Sequence, residues 1–152
     1  MRRRVLRKLK DNLLGNRSAL RAIPAVIHRY RGTAVEVDGV YLKMDRSLSN
    51  YMANVLRSGQ HAKPERELIL PALASDDVVM ELGGGVGHLS TRCSKILGSD
   101  RVFTFEANPE LEPLMRENFR LNGVRPTAEF CMLGHTEGCV AFYVNRDFWA
   151  SS

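Results

Sequence analysis

Val78-Val79-Met80-Glu81-Leu82-Gly83-Gly84-Gly85-Val86-Gly87 is the stretch on which the fold turns. The apolar run Val78–Met80 follows the turn-forming Ser75-Asp76-Asp77. It is short and uninterrupted, as expected of a strand covered on both faces in a parallel sheet. Four glycines follow within five positions, and beyond them Leu89, Cys93, Ile96 and Leu97 recur at helical spacing. The reading is strand, sharp glycine turn, helix.

Working downstream, Val102–Phe105 reads as a second strand, and Asn108-Pro109 as the N-cap and first residue of a helix. That helix presents Leu111, Leu114, Met115 and Phe119 on one face and stops at Asn122-Gly123. Thr127–Leu133 reads as a third strand, Gly134–Gly138 as a loop and Cys139–Val144 as a fourth strand returning in a hairpin. Alternation of strand and helix from residue 78 onward predicts an α/β fold, a Rossmann-like parallel sheet with flanking helices and right-handed crossovers.

Working upstream, Asp38-Gly39 between Ala34–Val37 and Val40–Met44 is a two-residue hairpin signal. Val40, Leu42 and Met44 form the face expected to be buried. Leu48, Met52, Val55 and Leu56 give a helical stripe within Ser47–Ser58, and Pro64 opens a further helix with Ile69 and Leu73 as its buried pair, which Pro71 kinks or ends early. Residues 1–31 read as one or two short basic helices. The organisation is thus a basic N-terminal extension over 1–33 and one domain over 34–152, its sheet preceded by a helical and hairpin segment.

The glycine turn carries the chemistry. Glycine lets the chain reverse sharply and leaves backbone that a ligand approaches without obstruction. The helix after it offers amide N–H groups to that ligand. Glu106 stands nineteen residues after Gly87 at the end of the second strand. In a βαβ unit an acid there lies beside the glycine turn and accepts hydrogen bonds from the ribose hydroxyls of an adenosine cofactor. A dinucleotide fingerprint starting at Gly83 and Gly85 requires a third glycine where His88 stands. Glu81 precedes the first glycine by two residues, where a carboxylate suits a ligand bearing an ammonium group and repels a pyrophosphate. Spacing and charge therefore favour S-adenosylmethionine over a nicotinamide dinucleotide. The cofactor-binding set is Glu81, Leu82, Gly83, Gly84, Gly85, Gly87, Glu106 and Asn108, with Asn108 read first as a helix cap. No general base is identified, and His88 and His135 read as turn or surface residues, His135 where it would border an adenine.

The bulk numbers exclude other classes. The chain has 152 residues, 44% hydrophobic and 26% charged, which suits one soluble domain. No apolar run approaches a membrane span, and the basic N-terminus lacks the apolar core of a secretory signal. Cys93, Cys131 and Cys139 form no C-x-x-C pair and read as reduced packing residues of a cytoplasmic protein; the histidines lack metal-ligand spacing. Residues 1–31 hold ten Lys/Arg against one acid, net +9, and residues 32–152 twelve against sixteen, net −4. The positive charge belongs to the leader, which reads as a solvated extension, and no aromatic residue before Tyr30 supports specific nucleic-acid binding.

Three runs together resemble a family: V-V-M-E-L-G-G-G-V-G-H-L-S (78–90), R-V-F-T-F-E-A-N-P-E (101–110) and R-E-N-F-R-L-N-G-V (116–124). In this order and spacing they are similar to the FkbM-type methyltransferases of class I. S-G-Q-H-A-K-P-E-R-E-L (58–68) and E-G-C-V-A-F-Y-V-N (137–145) extend the resemblance over residues 34–152. It implies S-adenosylmethionine-dependent O-methylation of a hydroxyl on a sugar, glycan or small-molecule acceptor, with Glu81 and Gly83–Gly87 at the methionine end and Glu106 on the ribose. The chain departs from the family in carrying Glu81 for an aspartate and His61-Ala62 where a tyrosine–glutamate pair is usual. The resemblance also implies sheet order 3-2-1-4-5-7-6, of which this chain supplies the first half. Val78–Met80 then becomes an exposed edge open to self-association. The competing readings are a non-catalytic cofactor-binding remnant or partner subunit that completes its sheet by association, a nicotinamide oxidoreductase, and an anion-surface binder acting through residues 1–31.

Overall fold

The computed structural model describes residues 34–44 and 48–145. The helices expected within 1–31 lie outside the described residues.

The first element is the hairpin of β1 (Ala34–Val37) and β2 (Val40–Lys43), paired antiparallel with Val37 opposite Val40. Asp38 and Gly39 both adopt positive φ, 50° and 77°. That conformation matches the twist of the flanking strands, and Asp-Gly adopts it readily. Val40 and Leu42 are buried, as their alternation requires. Helix α1 (Asn50–Arg57) is capped by Ser49, whose Oγ accepts from the Met52 amide at 3.0 Å, and buries Met52 and Leu56 against the hairpin. Helix α2 (Lys63–Ala72) ends one residue after Pro71. Its expected buried pair is corrected: Ile69 and Leu73 are only half-buried, and the buried side chain is Arg66. The Arg66 guanidinium reaches back to the hairpin turn, pairing with Asp38 Oδ2 at 2.9 Å and donating to the Gly59 carbonyl at 2.8 Å.

The α/β half follows. Strands β3 (Val79–Leu82), β4 (Val102–Phe105) and β5 (Thr127–Glu129) form a parallel sheet in the order β3-β4-β5. Helix α3 (His88–Leu97) joins β3 to β4, and α4 (Glu112–Asn122) joins β4 to β5. Register places Glu81 opposite Thr104 and Leu82 opposite Phe105. One face of the sheet, with Val79, Glu81, Val102 and Thr104, turns toward the helices. The other carries Met80, Leu82, Phe103 and Phe105, and here Val78, Met80 and Leu82 are exposed. The expectation that Val78–Met80 is covered on both faces is thus corrected: both crossover helices lie on the same side, as successive right-handed crossovers in one direction require.

Three further expectations are corrected. Helix α3 buries His88, Ser90, Thr91, Cys93 and Ser94, while Leu89, Ile96 and Leu97 are only half-buried. The third strand ends at Glu129 instead of Leu133, and 139–144 is irregular rather than a strand. Of the cysteines, Cys93 is buried but Cys131 and Cys139 are exposed. Helix α4 meets its expectation: Leu114, Met115 and Phe119 are buried, and Gly123 closes the helix at φ 67°.

The two halves are stitched by two asparagines of α4. Asn118 Oδ1 accepts the Lys43 amide at 2.8 Å, and Asn122 Oδ1 accepts the Tyr41 amide at 2.9 Å while its Nδ2 donates to the Tyr41 carbonyl at 2.7 Å. These side-chain amides take the place of a neighbouring strand along β2. Four residues apart on a helix, they match the two-residue repeat of outward backbone groups on a strand. Asn118 Nδ2 also donates to the Val86 carbonyl at 2.8 Å, which ties the hairpin to the glycine turn. Among the described residues no helix is long and apolar enough to cross a membrane.

Candidate active site

The site lies at the carboxyl ends of the three parallel strands, where ligands of open α/β sheets bind. The glycine turn is built against the end of β4. Gly83 and Gly84 both donate to the Phe105 carbonyl, at 2.8 and 3.1 Å, and Gly87 closes the turn on the Gly84 carbonyl at 2.8 Å. Glu106 is 8% exposed. One carboxylate oxygen accepts the Gly85 amide at 2.7 Å and the other the Asn108 amide at 2.7 Å. A carboxylate offers about four acceptor positions, so two backbone bonds leave capacity for ligand hydroxyls.

The glycines divide by function. A Cβ on Gly84 would collide with the Thr104 hydroxyl and lie 2.9 Å from Met115 Cε, and one on Gly87 would lie 2.7 Å from the Phe119 ring. These two allow the turn to press against β4 and α4. Gly83, at φ +84°, has open space where a Cβ would stand. Its surface faces a groove of about 480 Å³ lined by Leu82, Gly83, Gly85, Phe105, Glu106, Ala107, Cys131, Met132, Leu133, Phe142 and His61. The volume falls within the range of sites for small molecules and cofactors.

Of the eight residues chosen from sequence, Leu82, Gly83, Gly85 and Glu106 line this groove. Glu81, Gly84, Gly87 and Asn108 stand behind it. Asn108 is buried and caps the turn of residues 109–111, its Oδ1 accepting from the Glu110 amide at 3.0 Å. Glu81 faces the helix-covered side of the sheet and accepts from Thr104 Oγ1 at 2.8 Å. Burial pushes its carboxyl up to about 7; the Thr104 hydroxyl opposes the rise and the nearby Glu106 adds to it. His88, read as a turn or surface residue, opens α3 directly after the turn and is 3% exposed, which corrects the surface alternative. Its Nε2 lies 3.1 Å from the Val37 carbonyl, and burial lowers its pKa to about 4, so the neutral ring donates to the hairpin. His135 is exposed and is not part of the groove lining.

Sequence reasoning missed His61 and the wall formed by Cys131, Met132, Leu133 and Phe142. Assigning Cys131–Leu133 and Phe142 to strands concealed the wall, because only where β5 ends early does the chain turn across the strand ends. His61 entered the sequence reading only as a departure from the FkbM-type pattern, without a role; it reaches the groove from the turn between α1 and α2.

The groove residues fit S-adenosylmethionine: an acid held rigidly at the end of β4, glycine backbone open to a ligand, and apolar side chains beyond β5. The model of the TRM5/TYW2 methyltransferase domain matches residues 33–134. The match supports the class I assignment and does not single out the FkbM type that the motifs resemble. No curated protein and no solved structure matches the chain. The chain belongs to the TRM5/TYW2 methyltransferase domain family and is an S-adenosylmethionine-dependent methyltransferase.

Proposed function

We propose that this protein methylates a tRNA nucleoside, holding S-adenosylmethionine in the groove between the glycine turn and residues 131–133. The acceptor class rests on the family, which points to tRNA rather than to the sugar hydroxyl that the FkbM-type motifs imply. The cofactor position rests on one observation: the Glu106 carboxylate, fixed by two backbone amides at 2.7 Å, borders the groove beside Gly83 and Gly85. Glu106 takes the ribose hydroxyls, and Met132 and Leu133 pack on the adenine. Gly83 and Leu82 border the methionine end. Bound there, S-adenosylmethionine supplies an electrophilic methyl group. The protein's contribution is to hold that end in line with the acceptor and apart from water, an arrangement from which positioning alone provides large rate factors.

Calorimetric titration with S-adenosylhomocysteine tests the cofactor site. Wild-type protein binds, and Glu106→Ala loses at least tenfold in affinity, the scale of a charge-assisted hydrogen bond. Absence of binding by the wild type sinks the site, and equal binding by both removes Glu106 from it. Methyl label offered with unmodified tRNA transcripts tests the acceptor. Label in RNA supports the reading; label only in a low-molecular-weight or glycan fraction returns the hydroxyl acceptor.

A second reading has its own observation. Among the described residues β3 lies at the edge of the sheet, and Val78, Met80 and Leu82 expose apolar surface on its open face, about 60–65% each. Such an edge invites pairing with another chain. On this reading the protein completes its sheet by association and serves as a cofactor-binding subunit. Concentration-dependent sedimentation that Met80→Lys abolishes, with cofactor binding but no turnover, is its signature.

A further inference from the structure

We propose that Arg92 and Lys95 of α3 form a phosphate-binding site for the RNA acceptor, seated beside the hairpin turn of Asp38 and Gly39. The inference rests on the tRNA reading above and names a surface that holds the backbone of that acceptor.

Helix α3 places both cations. Residues three apart on a helix share a face, and this face carries Arg92 and Lys95 to the same turn. Lys95 Nζ donates to the Gly39 carbonyl at 2.5 Å and to Asn122 Oδ1 at 2.8 Å. An ammonium has three donors, so one is left over. A Cβ on Gly39 would stand 3.3 Å from Arg92 Nη1. Two positive groups thus converge on one glycine, and both side chains are half-buried. The crowding is felt by Lys95, which burial and the Arg92 charge push down to about 8, with Glu36 opposing.

The arginine is unpaired. Among the described residues the Arg92 guanidinium has no hydrogen-bond or ion-pair partner. Its Nε is shut in against the protein, while its Nη groups keep access to solvent. The two acids of the turn are engaged elsewhere. Asp38 Oδ2 pairs with Arg66 at 2.9 Å, and Glu36 Oε1 accepts the Gly39 amide at 2.9 Å. An arginine fork with open donors beside a lysine matches a phosphate: the fork takes two oxygens and the ammonium adds a point charge.

Position relative to the groove makes that phosphate one of the acceptor's own. Gly87 of the glycine turn caps α3. At about 1.5 Å per residue, Arg92 lies about 7 Å and Lys95 about 12 Å along the helix from Gly87. That span is a few nucleotides of a stacked strand, at about 3.4 Å per phosphate. With the target nucleoside in the groove, phosphates of its neighbours fall within reach of the pair. Such contacts set the register of the strand and leave the choice of base to the groove.

The test is binding of a tRNA transcript to the full chain over a series of salt concentrations. The basic segment 1–31 is present in every variant, so its share of the salt dependence is common to all. Replacing a phosphate-contacting cation lowers the slope of log affinity against log salt by about 1. Arg92→Gln is expected to lose about 1 in slope and the double variant Arg92→Gln, Lys95→Gln about 2, with affinity at least tenfold weaker in the double variant. Arg92→Lys, which keeps the charge, retains the wild-type slope. Arg125→Gln removes an exposed arginine ahead of β5, at the opposite ends of the strands, and serves as the control for charge alone. All four variants bind S-adenosylhomocysteine as the wild type does. A double variant whose slope equals that of the wild type or of Arg125→Gln overturns the inference and leaves the tRNA reading standing; a wild type that does not bind tRNA overturns both. The NMR signal of the enclosed Arg92 Nε–H reports position without a mutation. It shifts on addition of tRNA and stays in place with S-adenosylhomocysteine. A signal that moves with inorganic phosphate but not with tRNA assigns the pair to free phosphate and refutes the RNA contact.

Discussion

Glu106 Oε2 accepts the Gly85 amide at 2.7 Å, so the acid at the end of one strand holds the turn that follows its neighbour. The bond spans twenty-one positions and is buried. It couples two features that read as separate signals in the sequence, the glycine cluster and the acid after the second strand. Removing the charge while keeping the shape is therefore expected to loosen the turn as well as weaken the ligand. Glu106→Gln should lower S-adenosylhomocysteine affinity by about tenfold or more, the scale of a bond to a charged group. It should also speed hydrogen exchange at Gly85 in the free protein. Unchanged exchange at Gly85 contradicts the coupling.

The glycines should fail in different ways. Gly84→Ala forces a Cβ into the Thr104 hydroxyl and Met115, and overpacking of this kind costs about 1–3 kcal/mol. Its effect appears in the denaturation midpoint. Gly83→Ala meets no atom but retains a φ of +84°, a strain of about 1–2 kcal/mol for an L side chain. Its methyl projects into the groove, so the larger loss is expected in cofactor affinity, measured by titration against a near-normal melting curve.

Asn118 holds the hairpin and the glycine turn at once. Asn118→Leu leaves the Lys43 amide and the Val86 carbonyl without this partner. One of the two lost bonds is buried and the other part-buried, so a loss of about 2–3 kcal/mol is expected in urea titrations. Asn122→Leu should act on the same hairpin edge, and the two losses should not add, because both variants free the same strand. Additive losses count against a shared edge.

Glu81 and His88 set opposing pH dependences. The Glu81 carboxyl is raised from 4.5 to about 7, so folding favours its protonated form and stability falls as pH rises from 4.5 through 7. The His88 ring is lowered from 6.5 to about 4, so folding favours its neutral form and stability falls as pH drops from 6.5 through 4. Between 4.5 and 6.5 the two slopes oppose each other, and the wild type should show a flatter stability profile there than a variant lacking either group. Glu81→Gln should expose the His88 slope, with stability rising about 1 kcal/mol per pH unit across that window. His88→Gln should expose the opposite slope. Chemical denaturation at half-unit pH intervals measures both, and parallel profiles in the two variants refute the assignment.

Local chemistry determined much of this protein without help from the rest of the chain. Asp38-Gly39 forms its turn because those two residues tolerate positive φ. Val102–Phe105 and helix α4 follow from apolar periodicity, and Gly123 from the need for a left-handed residue at a helix end. The spacing of Glu81, the glycines and Glu106 led to a class I methyltransferase that uses S-adenosylmethionine, because a parallel sheet brings its strand ends together whatever lies between them. Tertiary structure decided what no local pattern carries. It turned α3 so that small and polar residues, not Leu89 and Ile96, face inward, since His88 reaches the Val37 carbonyl from that side. It buried Arg66 on Asp38, ended β5 at Glu129 to free a wall for the groove, and left one face of β3 bare because both crossover helices pack on the other. It also brought His61 to the groove from a separate part of the chain. Each of these depends on which distant surface a segment meets, and a residue's own neighbours in sequence do not encode that.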